Sequence, residues 1–234
     1  MAGENTREAK NGRRLLFSAL LKALVLALAL AGQYLGFSRA NFMAGRHFLY
    51  YTYISNILAG LLMLPLLFFA VQSMRAGSEQ ALPRWLNGLR FAVSAGILLT
   101  FAGFSLLLLP LMDKAYLLSP DNLLVHNLVP LLACLDYALF AQAPPFGKRG
   151  IFLGLALPLL YLVFAIILIE GGTRFHGGSA PYFFMDYKQN GWFSAGDGKL
   201  GAFWWMLILL ALQLFLSRLL EGFRALVANN RRAV

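Results

Sequence analysis

Six apolar runs of about 20 residues constrain the fold of this chain more than any other feature of its sequence. A helix of about 20 residues, rising about 1.5 Å per residue, crosses the hydrocarbon core of a bilayer. Inside that core the backbone must satisfy its own hydrogen bonds, so such runs fold as helices. The sequence therefore predicts an all-α, polytopic integral membrane protein, a bundle of six transmembrane helices. The predicted spans are residues 15–37, 48–71, 89–109, 122–142, 151–169 and 201–220.

Composition supports this fold class and excludes others. Of the 234 residues, 59% are hydrophobic and only 13% are charged, with a mean hydropathy of +0.67, which a soluble domain would not normally show. The net charge of +10 does not indicate a nucleic-acid partner, because the basic residues lie between apolar runs and at the termini and form no stripe interleaved with aromatics. We expect membrane lipids as the surrounding partner and no nucleic acid.

The apolar runs also define the domain organisation. We predict a basic cytoplasmic tail at 1–14, a six-helix transmembrane domain at 15–222 with an extracytoplasmic loop at 171–200, and a second basic tail at 223–234. A cleaved secretory signal is the alternative for the first run, since Ala27, Ala29 and Ala31 have the spacing of a cleavage site. The length of the run and the presence of Lys22 favour a span.

The distribution of basic residues predicts the orientation. Thirteen lie on the side shared by the two termini, against six on the opposite side. By the positive-inside rule, both termini are cytoplasmic and the protein lies in the cell (inner) membrane. The thirteen are Arg7, Lys10, Arg13, Arg14, Arg75, Arg84, Arg90, Lys148, Arg149, Arg218, Arg224, Arg231 and Arg232; the six are Arg39, Arg46, Lys114, Arg174, Lys188 and Lys199.

Two groups of polar residues interrupt the apolar runs. In the inner half, Lys22 and Asp136 each lie about seven residues from the cytoplasmic end of their spans. We interpret them as a structural ion pair, because an unpaired charge in hydrocarbon costs several kcal/mol; the alternatives are a proton or ion relay and a lysine that extends to the cytoplasmic surface. The outer half collects a second group at a common depth: Gln33, Thr52, Ser55, Asn56, His126, Asn127 and Glu170.

This outer group contains the residue types of a nucleophilic hydrolase. A threonine hydroxyl becomes a useful nucleophile when a neighbouring base takes its proton, and histidine has a suitable pKa for that role. Asn56 or Glu170 is a candidate to orient the second ring nitrogen of His126, and Asn56 or Asn127 to steady a developing oxyanion. The structural alternative is that these side chains bond their own helices or join neighbouring ones.

At these residues the chain resembles a known family. The second span, the segment His126-Asn-Leu-Val-Pro130 followed by Leu135-Asp136-Tyr137, and Pro158-Leu-Leu-Tyr161 leading to Pro181-Tyr-Phe-Phe-Met-Asp186 are similar to the bacterial branch of the androgen-induced-protein family. That branch consists of predicted six-helix membrane proteins, and animal members hydrolyse fatty acid esters of hydroxy fatty acids with a threonine nucleophile and a histidine. The resemblance implies these roles for Thr52 and His126, while the bacterial branch diverges around both.

The loop at 171–200 is long and rich in glycine and aromatic residues. We interpret it as a lid over the Thr52/His126 layer, the alternative being a surface loop that its aromatics anchor. The histidines His47, His126 and His176, with Glu170 and Asp186, lack the spacing of a zinc site, and no phosphate loop or dinucleotide fingerprint occurs. We therefore expect neither a metal nor a cofactor.

Two functions follow from these observations. The first is an intramembrane threonine hydrolase of lipid esters, with its site in the outer leaflet and an acyl ester as substrate. The second is a transporter or binding protein for lipids or small molecules, which would use the same polar layer without breaking a bond.

Overall fold

The structure is a computed structural model that describes residues 2–39, 46–142, 147–175, 178–196 and 199–232. The side chains of residues 2–8, 39 and 232 lie outside the description. The α-helices are α1 (Ala2–Arg39), α2 (Tyr51–Ala76), α3 (Arg84–Gly103), α4 (Lys114–Leu117), α5 (Pro120–Leu123), α6 (Val129–Phe140), α7 (Ala156–Glu170), α8 (Tyr187–Asn190) and α9 (Ala202–Arg232). Short 3₁₀ helices occupy Arg46–Leu49, Leu109–Leu111, Gly147–Leu155 and Phe183–Met185, and π-helical segments occupy Phe104–Leu108 and Leu124–Leu128. An antiparallel hairpin pairs β1 (Ala195–Gly196) with β2 (Lys199–Leu200).

The predicted fold class is confirmed. Six helical stretches of the described chain are long and apolar enough to cross a membrane, and they make up a helical bundle with almost no strand. We refer to them in chain order as spans 1 to 6: Ala9–Ser38, Tyr51–Ala76, Arg84–Leu111, Pro120–Phe140, Gly147–Glu170 and Ala202–Arg231.

The helices extend beyond the predicted spans at several ends. Residues 2–14 and 223–232, which we predicted as tails, continue α1 and α9 within the described chain. Both segments contain several Ala and Arg residues, which favour a helix, together with Asn. A prediction from hydrophobic runs alone therefore underestimates the length of these helices. Conversely, α6 ends at Phe140, two residues before the predicted end.

Two spans change their helical pitch where a proline follows. The π-helical segment Phe104–Leu108 precedes Pro110 in span 3, and Leu124–Leu128 precedes Pro130 in span 4. Because proline has no backbone N–H, it cannot bond the carbonyl four residues earlier, and that carbonyl in span 4 belongs to His126. A π-helical turn is a common response and occurs often at functional sites.

The two sides of the bundle can be told apart by their contacts. On one side Asn11 Nδ2 donates to Gly77 O (2.8 Å), and the Arg231 guanidinium lies 5.8 Å from the centre of the Phe140 ring. We call this the terminal side, because the first turns of α1 and the last turns of α9 lie there. We call the opposite side the loop side; it carries the described parts of the 171–200 loop. One apolar cluster packs spans 1 to 4 together, and a second packs spans 2, 3, 5 and 6 against that loop.

Candidate functional site

Thr52 and His126 meet in the loop-side half of the bundle. Thr52 lies in the first turn of α2, and His126 lies in the π-helical segment of span 4. Thr52 Oγ1 is 3.2 Å from His126 Nε2, which is hydrogen-bond distance, and both side chains are buried. In the tautomer that carries its proton on Nδ1, His126 accepts the threonine hydroxyl proton at Nε2. The pair therefore has the contact that a nucleophile and its general base require.

Amide and hydroxyl side chains hold the backbone around this pair. Asn56 Nδ2 donates to Thr52 O (2.7 Å) and to Val125 O (2.9 Å), so that it joins span 2 to span 4 immediately beside His126. Ser55 Oγ donates to Thr52 O (2.9 Å) and lies 2.7 Å from Thr100 Oγ1 in span 3. These bonds fix the depth and the relative position of the three spans at Thr52.

The His126 ring is placed by ring stacking as well as by its contact with Thr52. It stacks on Phe104 with 4.0 Å between ring centroids and an interplanar angle of 21°. Nδ1 makes no hydrogen bond of good geometry among the described residues, although the Asn122 carbonyl lies one turn before it. Asp121, a buried carboxylate, lies at the start of the same span.

The predicted orienting residues do not serve this ring. The Asn56 amide is committed to two backbone carbonyls, and its Oδ1 is buried without a partner. Glu170 accepts a hydrogen bond from Tyr187 and lies 3.5 Å from Lys188 Nζ. Its placement in the outer polar layer was wrong, because the end of α7 lies at the loop surface and its carboxylate pairs with loop residues.

The other two predicted supporting residues also lie beside the site and not in it. Gln33 Nε2 donates to Tyr53 O (3.3 Å), so it links span 1 to the backbone of α2 one residue after Thr52. Asn127 is half-buried, whereas the adjacent His126 is buried. Adjacent residues of a helix point in different directions, which explains why Asn127 does not share the direction of His126.

A loop tyrosine completes the site. The Tyr182 hydroxyl accepts a hydrogen bond from the Thr52 backbone N–H (3.4 Å), and its ring stacks on Phe184. Burial raises the pKa of this hydroxyl to about 12, so it carries its proton at neutral pH and can donate a hydrogen bond. The sequence indicated an aromatic loop over the layer, but it did not indicate which tyrosine reaches Thr52.

An apolar cavity of about 100 Å³ adjoins Thr52. It lies between spans 2, 3, 5 and 6, and three residues of the loop, Tyr182, Phe184 and Met185, close its loop side. Apart from the hydroxyls of Thr52, Thr100 and the tyrosines, its walls are hydrocarbon. The remaining lining residues are Tyr51, Leu99, Gly103, Phe104, Leu108, Pro158, Tyr161, Leu162, Met206, Leu209 and Leu210.

The second polar group forms an ionic cluster in the terminal-side half. Asp136 Oδ1 accepts a hydrogen bond from Lys22 Nζ (2.7 Å), and Asp136 Oδ2 accepts one from Arg90 Nη2 (2.6 Å). All three side chains are buried. The structure thus brings Lys22 and Asp136 together and adds Arg90, which we had placed at the edge of a loop because it lies near the start of an apolar run.

No metal centre is formed by the described residues, among which no group of three or more His, Cys, Asp or Glu side chains is placed to hold an ion. His176 lies outside the described residues. The fold and the site together define a multi-pass six-helix membrane protein with a buried Thr–His pair at an apolar cavity. No protein-family model matches the chain, and no curated protein or solved structure is detectably similar to it.

Proposed function

We propose that this protein is an intramembrane threonine hydrolase that cleaves fatty acid esters of lipids. One observation carries the proposal: Thr52 Oγ1 lies 3.2 Å from His126 Nε2, and Thr52 lines an apolar cavity. The motif resemblance to the androgen-induced-protein family supports the same roles for these two residues, and we propose membership of that family with it.

In the proposed acylation step, Thr52 Oγ1 attacks the ester carbonyl carbon as its proton passes to His126 Nε2. The carbonyl π electrons move to oxygen and form a tetrahedral oxyanion. When this intermediate collapses, the bond to the alkoxide breaks, and His126 returns the proton to the leaving alcohol. Thr52 then carries the acyl group. In the second step water attacks the acyl carbon as His126 takes its proton, and a second tetrahedral oxyanion forms. The bond between the acyl carbon and Thr52 Oγ1 then breaks, His126 returns the proton to Oγ1, and the fatty acid leaves.

Tyr182 is the proposed donor to the oxyanion. Its hydroxyl lies 3.4 Å from the Thr52 backbone N and accepts that N–H bond, so its own proton can be directed to the Thr52 side chain or to a carbonyl held there. The loop that carries Tyr182 then acts as the lid, because Phe184 and Met185 separate the cavity from the loop-side surface. The hydrocarbon walls suit an acyl chain.

We propose that the terminal side is cytoplasmic, on the positive-inside argument, in a bacterial inner membrane. The Thr52/His126 pair then lies in the outer-leaflet half, where an ester lipid can enter sideways between helices. Membrane lipids would be both the solvent and the source of substrate.

One observation favours a second candidate, a lipid-binding or transport protein without catalysis. No carboxylate or amide side chain of the described chain bonds His126 Nδ1, so the third member of a catalytic triad is missing. In this candidate the cavity holds an acyl chain, and the polar layer binds its head without bond cleavage.

A covalent probe tests the proposal directly. The purified protein would be treated in detergent with a fluorophosphonate, and the labelling rate compared between wild type, Thr52→Val, Thr52→Ser and His126→Ala. Valine removes the hydroxyl at nearly constant shape, and serine keeps it, so the two variants form a matched pair. We expect labelling of wild type and Thr52→Ser, and none of Thr52→Val or His126→Ala.

Ser55→Ala is the control for a neighbouring buried hydroxyl and should still be labelled. Folding is followed by thermal unfolding of each variant. Absence of labelling in folded wild type, together with saturable stabilisation by a fatty acid ester, would replace the hydrolase with the binding protein. Labelling that persists in Thr52→Val would show that another residue is the nucleophile.

A further inference from the structure

A second cleft opens in the terminal-side half, far from Thr52. It has a volume of about 30 Å³ and lies between spans 1, 2 and 3, the end of span 4 and the connection after α2. The charged residues in its lining are Arg14, Lys22, Glu79 and Arg90. Unlike the cavity at Thr52, this cleft is lined in part by charged side chains.

Cations converge on one aromatic ring at this cleft. The Lys22 ammonium lies 4.9 Å from the centre of the Phe140 ring, and the Arg14 and Arg231 guanidinium groups lie 6.0 Å and 5.8 Å from it. Arg90 Nη1 donates to the backbone carbonyl of Phe140 (3.1 Å). Cationic side chains from spans 1, 3 and 6 therefore surround Phe140. The cation–π attraction of its ring offsets only part of the repulsion between these charges.

The carboxylates of the described residues do not balance these cations. Asp136 is shared between Lys22 and Arg90, and Glu79 lies 3.2 Å from Arg14. Two carboxylates thus face three lining cations, and Arg231 lies beside the lining residue Phe140 as a fourth. Of these groups Lys22 and Arg90 are buried and share the single carboxylate of Asp136, which leaves one buried positive charge in excess. Such an excess is costly, and an anion would lower that cost.

Two N–H groups point to where an anion would bind. Arg90 Nε and Arg14 Nε are both buried without a hydrogen-bond partner in the described chain. Arg90 is only 2% exposed, so bulk water does not readily satisfy its N–H. An oxyanion between these groups would accept charge-assisted hydrogen bonds from both arginines.

We propose that this cleft binds a phosphate group, and that an anionic phospholipid of the terminal-side leaflet supplies it. Arginine is the side chain best suited to phosphate oxygens, and basic pockets at the ends of transmembrane helices recognise anionic headgroups. A volume of about 30 Å³ admits a phosphate oxygen, while the rest of the headgroup lies at the opening near Arg14 and Arg231. This site uses no residue of the Thr52/His126 pair, so an experiment can support or overturn it independently of the proposed hydrolase.

Thermal-shift titration of the purified full-length protein tests the site. The ligands are dioctanoyl phosphatidylglycerol, dioctanoyl phosphatidylcholine and inorganic phosphate at constant ionic strength. The variants are Arg14→Gln and Arg231→Gln at the opening, and Arg13→Gln as the matched control, since Arg13 is exposed and lies outside the cleft lining. The unfolding temperature without ligand shows that each variant is folded.

We expect phosphatidylglycerol to raise the unfolding temperature of wild type saturably. In Arg14→Gln the Kd for phosphatidylglycerol should increase by about tenfold or more. Arg13→Gln should stay within about twofold, because an exposed charge in salt is screened. A saturable shift with inorganic phosphate that Arg14→Gln removes would also support the phosphate site and identify a soluble source. Equal shifts with phosphatidylcholine, equal losses in Arg13→Gln and Arg14→Gln, or no shift at all would overturn the proposal.

Discussion

The two polar regions of this membrane protein differ in how completely their buried polar atoms are paired. On the terminal side Asp136 has both carboxylate oxygens bonded to cations, at 2.7 Å to Lys22 and 2.6 Å to Arg90. On the loop side the Thr52/His126 pair is neutral in the tautomer described, and two buried atoms beside it, His126 Nδ1 and Asn56 Oδ1, lack a well-placed partner.

The difference follows from what each kind of group costs in hydrocarbon. A buried charge without a partner costs several kcal/mol, so the ionic cluster must be paired for the bundle to form. An unbonded neutral donor or acceptor costs roughly 1–3 kcal/mol, which a folded bundle can tolerate. The main role of the terminal-side cluster is therefore to stabilise the fold. The loop-side layer is the region whose unpaired polar atoms are available for a ligand or a reaction.

Removing the shared carboxylate is the most severe test of this contrast. In Asp136→Asn, Lys22 and Arg90 remain buried with no charge to balance them. We expect a loss of about 3–5 kcal/mol in the free energy of unfolding, enough to prevent accumulation of folded protein. Lys22→Met is the matched variant and should lose less, because Asp136 keeps Arg90. Reversible unfolding in mixed micelles gives the free energy of unfolding of each variant. Equal values for wild type and Asp136→Asn would show that the Asp136 carboxylate has no structural role.

Tyr182→Phe tests the loop-side region, where we expect a change in rate with little change in stability. The variant removes the proposed oxyanion donor and keeps the ring that stacks on Phe184. We expect the rate of fluorophosphonate labelling to fall by roughly 10². Tyr187→Phe makes the same chemical change in the same loop, at a residue bonded to Glu170 outside the cavity, and should leave the rate within about twofold. Equal labelling rates of the two variants would mean that Tyr182 contributes to packing only and is not an oxyanion donor.

The smallest expected effect is the pH dependence of loop packing. Burial raises the pKa of Tyr182 to about 12, above its value near 10 in the unfolded chain. The folded state therefore keeps its proton when the unfolded state loses one. The stabilisation is complete below pH 10 and disappears as the pH rises from 10 to 12.

By pH 11 wild type should have lost on the order of 1 kcal/mol that Tyr182→Phe does not lose. Stability curves of both proteins, measured at intervals from about pH 8 to pH 11, make the comparison. Parallel curves would mean that Tyr182 is accessible to water in the folded protein.

Much of the fold was predictable because membrane helices follow from local composition. The apolar runs predicted six spans, and the described residues form six such helices, with α1 and α9 longer than predicted because their ends are polar yet helical. The common depth of Thr52 and His126 was also predictable, since helical rise converts sequence distance from a span end into depth. Glu170 was misplaced by the same reasoning, because depth alone does not say toward which neighbour a side chain turns.

Three features depended on the packing of distant segments. Arg90 joins Asp136 because spans 3 and 4 pack face to face, and Tyr182 reaches Thr52 because a loop 130 residues away folds over α2. The π-helical turn that presents His126 had a signal in the sequence, the proline four residues later, but its consequence depended on the stacking partner Phe104.

The sequence by itself determined a six-span helical membrane protein with two polar layers at defined depths. Helix formation and membrane insertion depend on local hydrophobicity and on backbone hydrogen bonds within each segment. Only the tertiary structure decided which polar side chains meet, where the two clefts open and which loop residue covers Thr52. Those outcomes depend on the rotation of each helix about its axis and on the order of the helices in the bundle, which are set by packing between segments far apart in the chain.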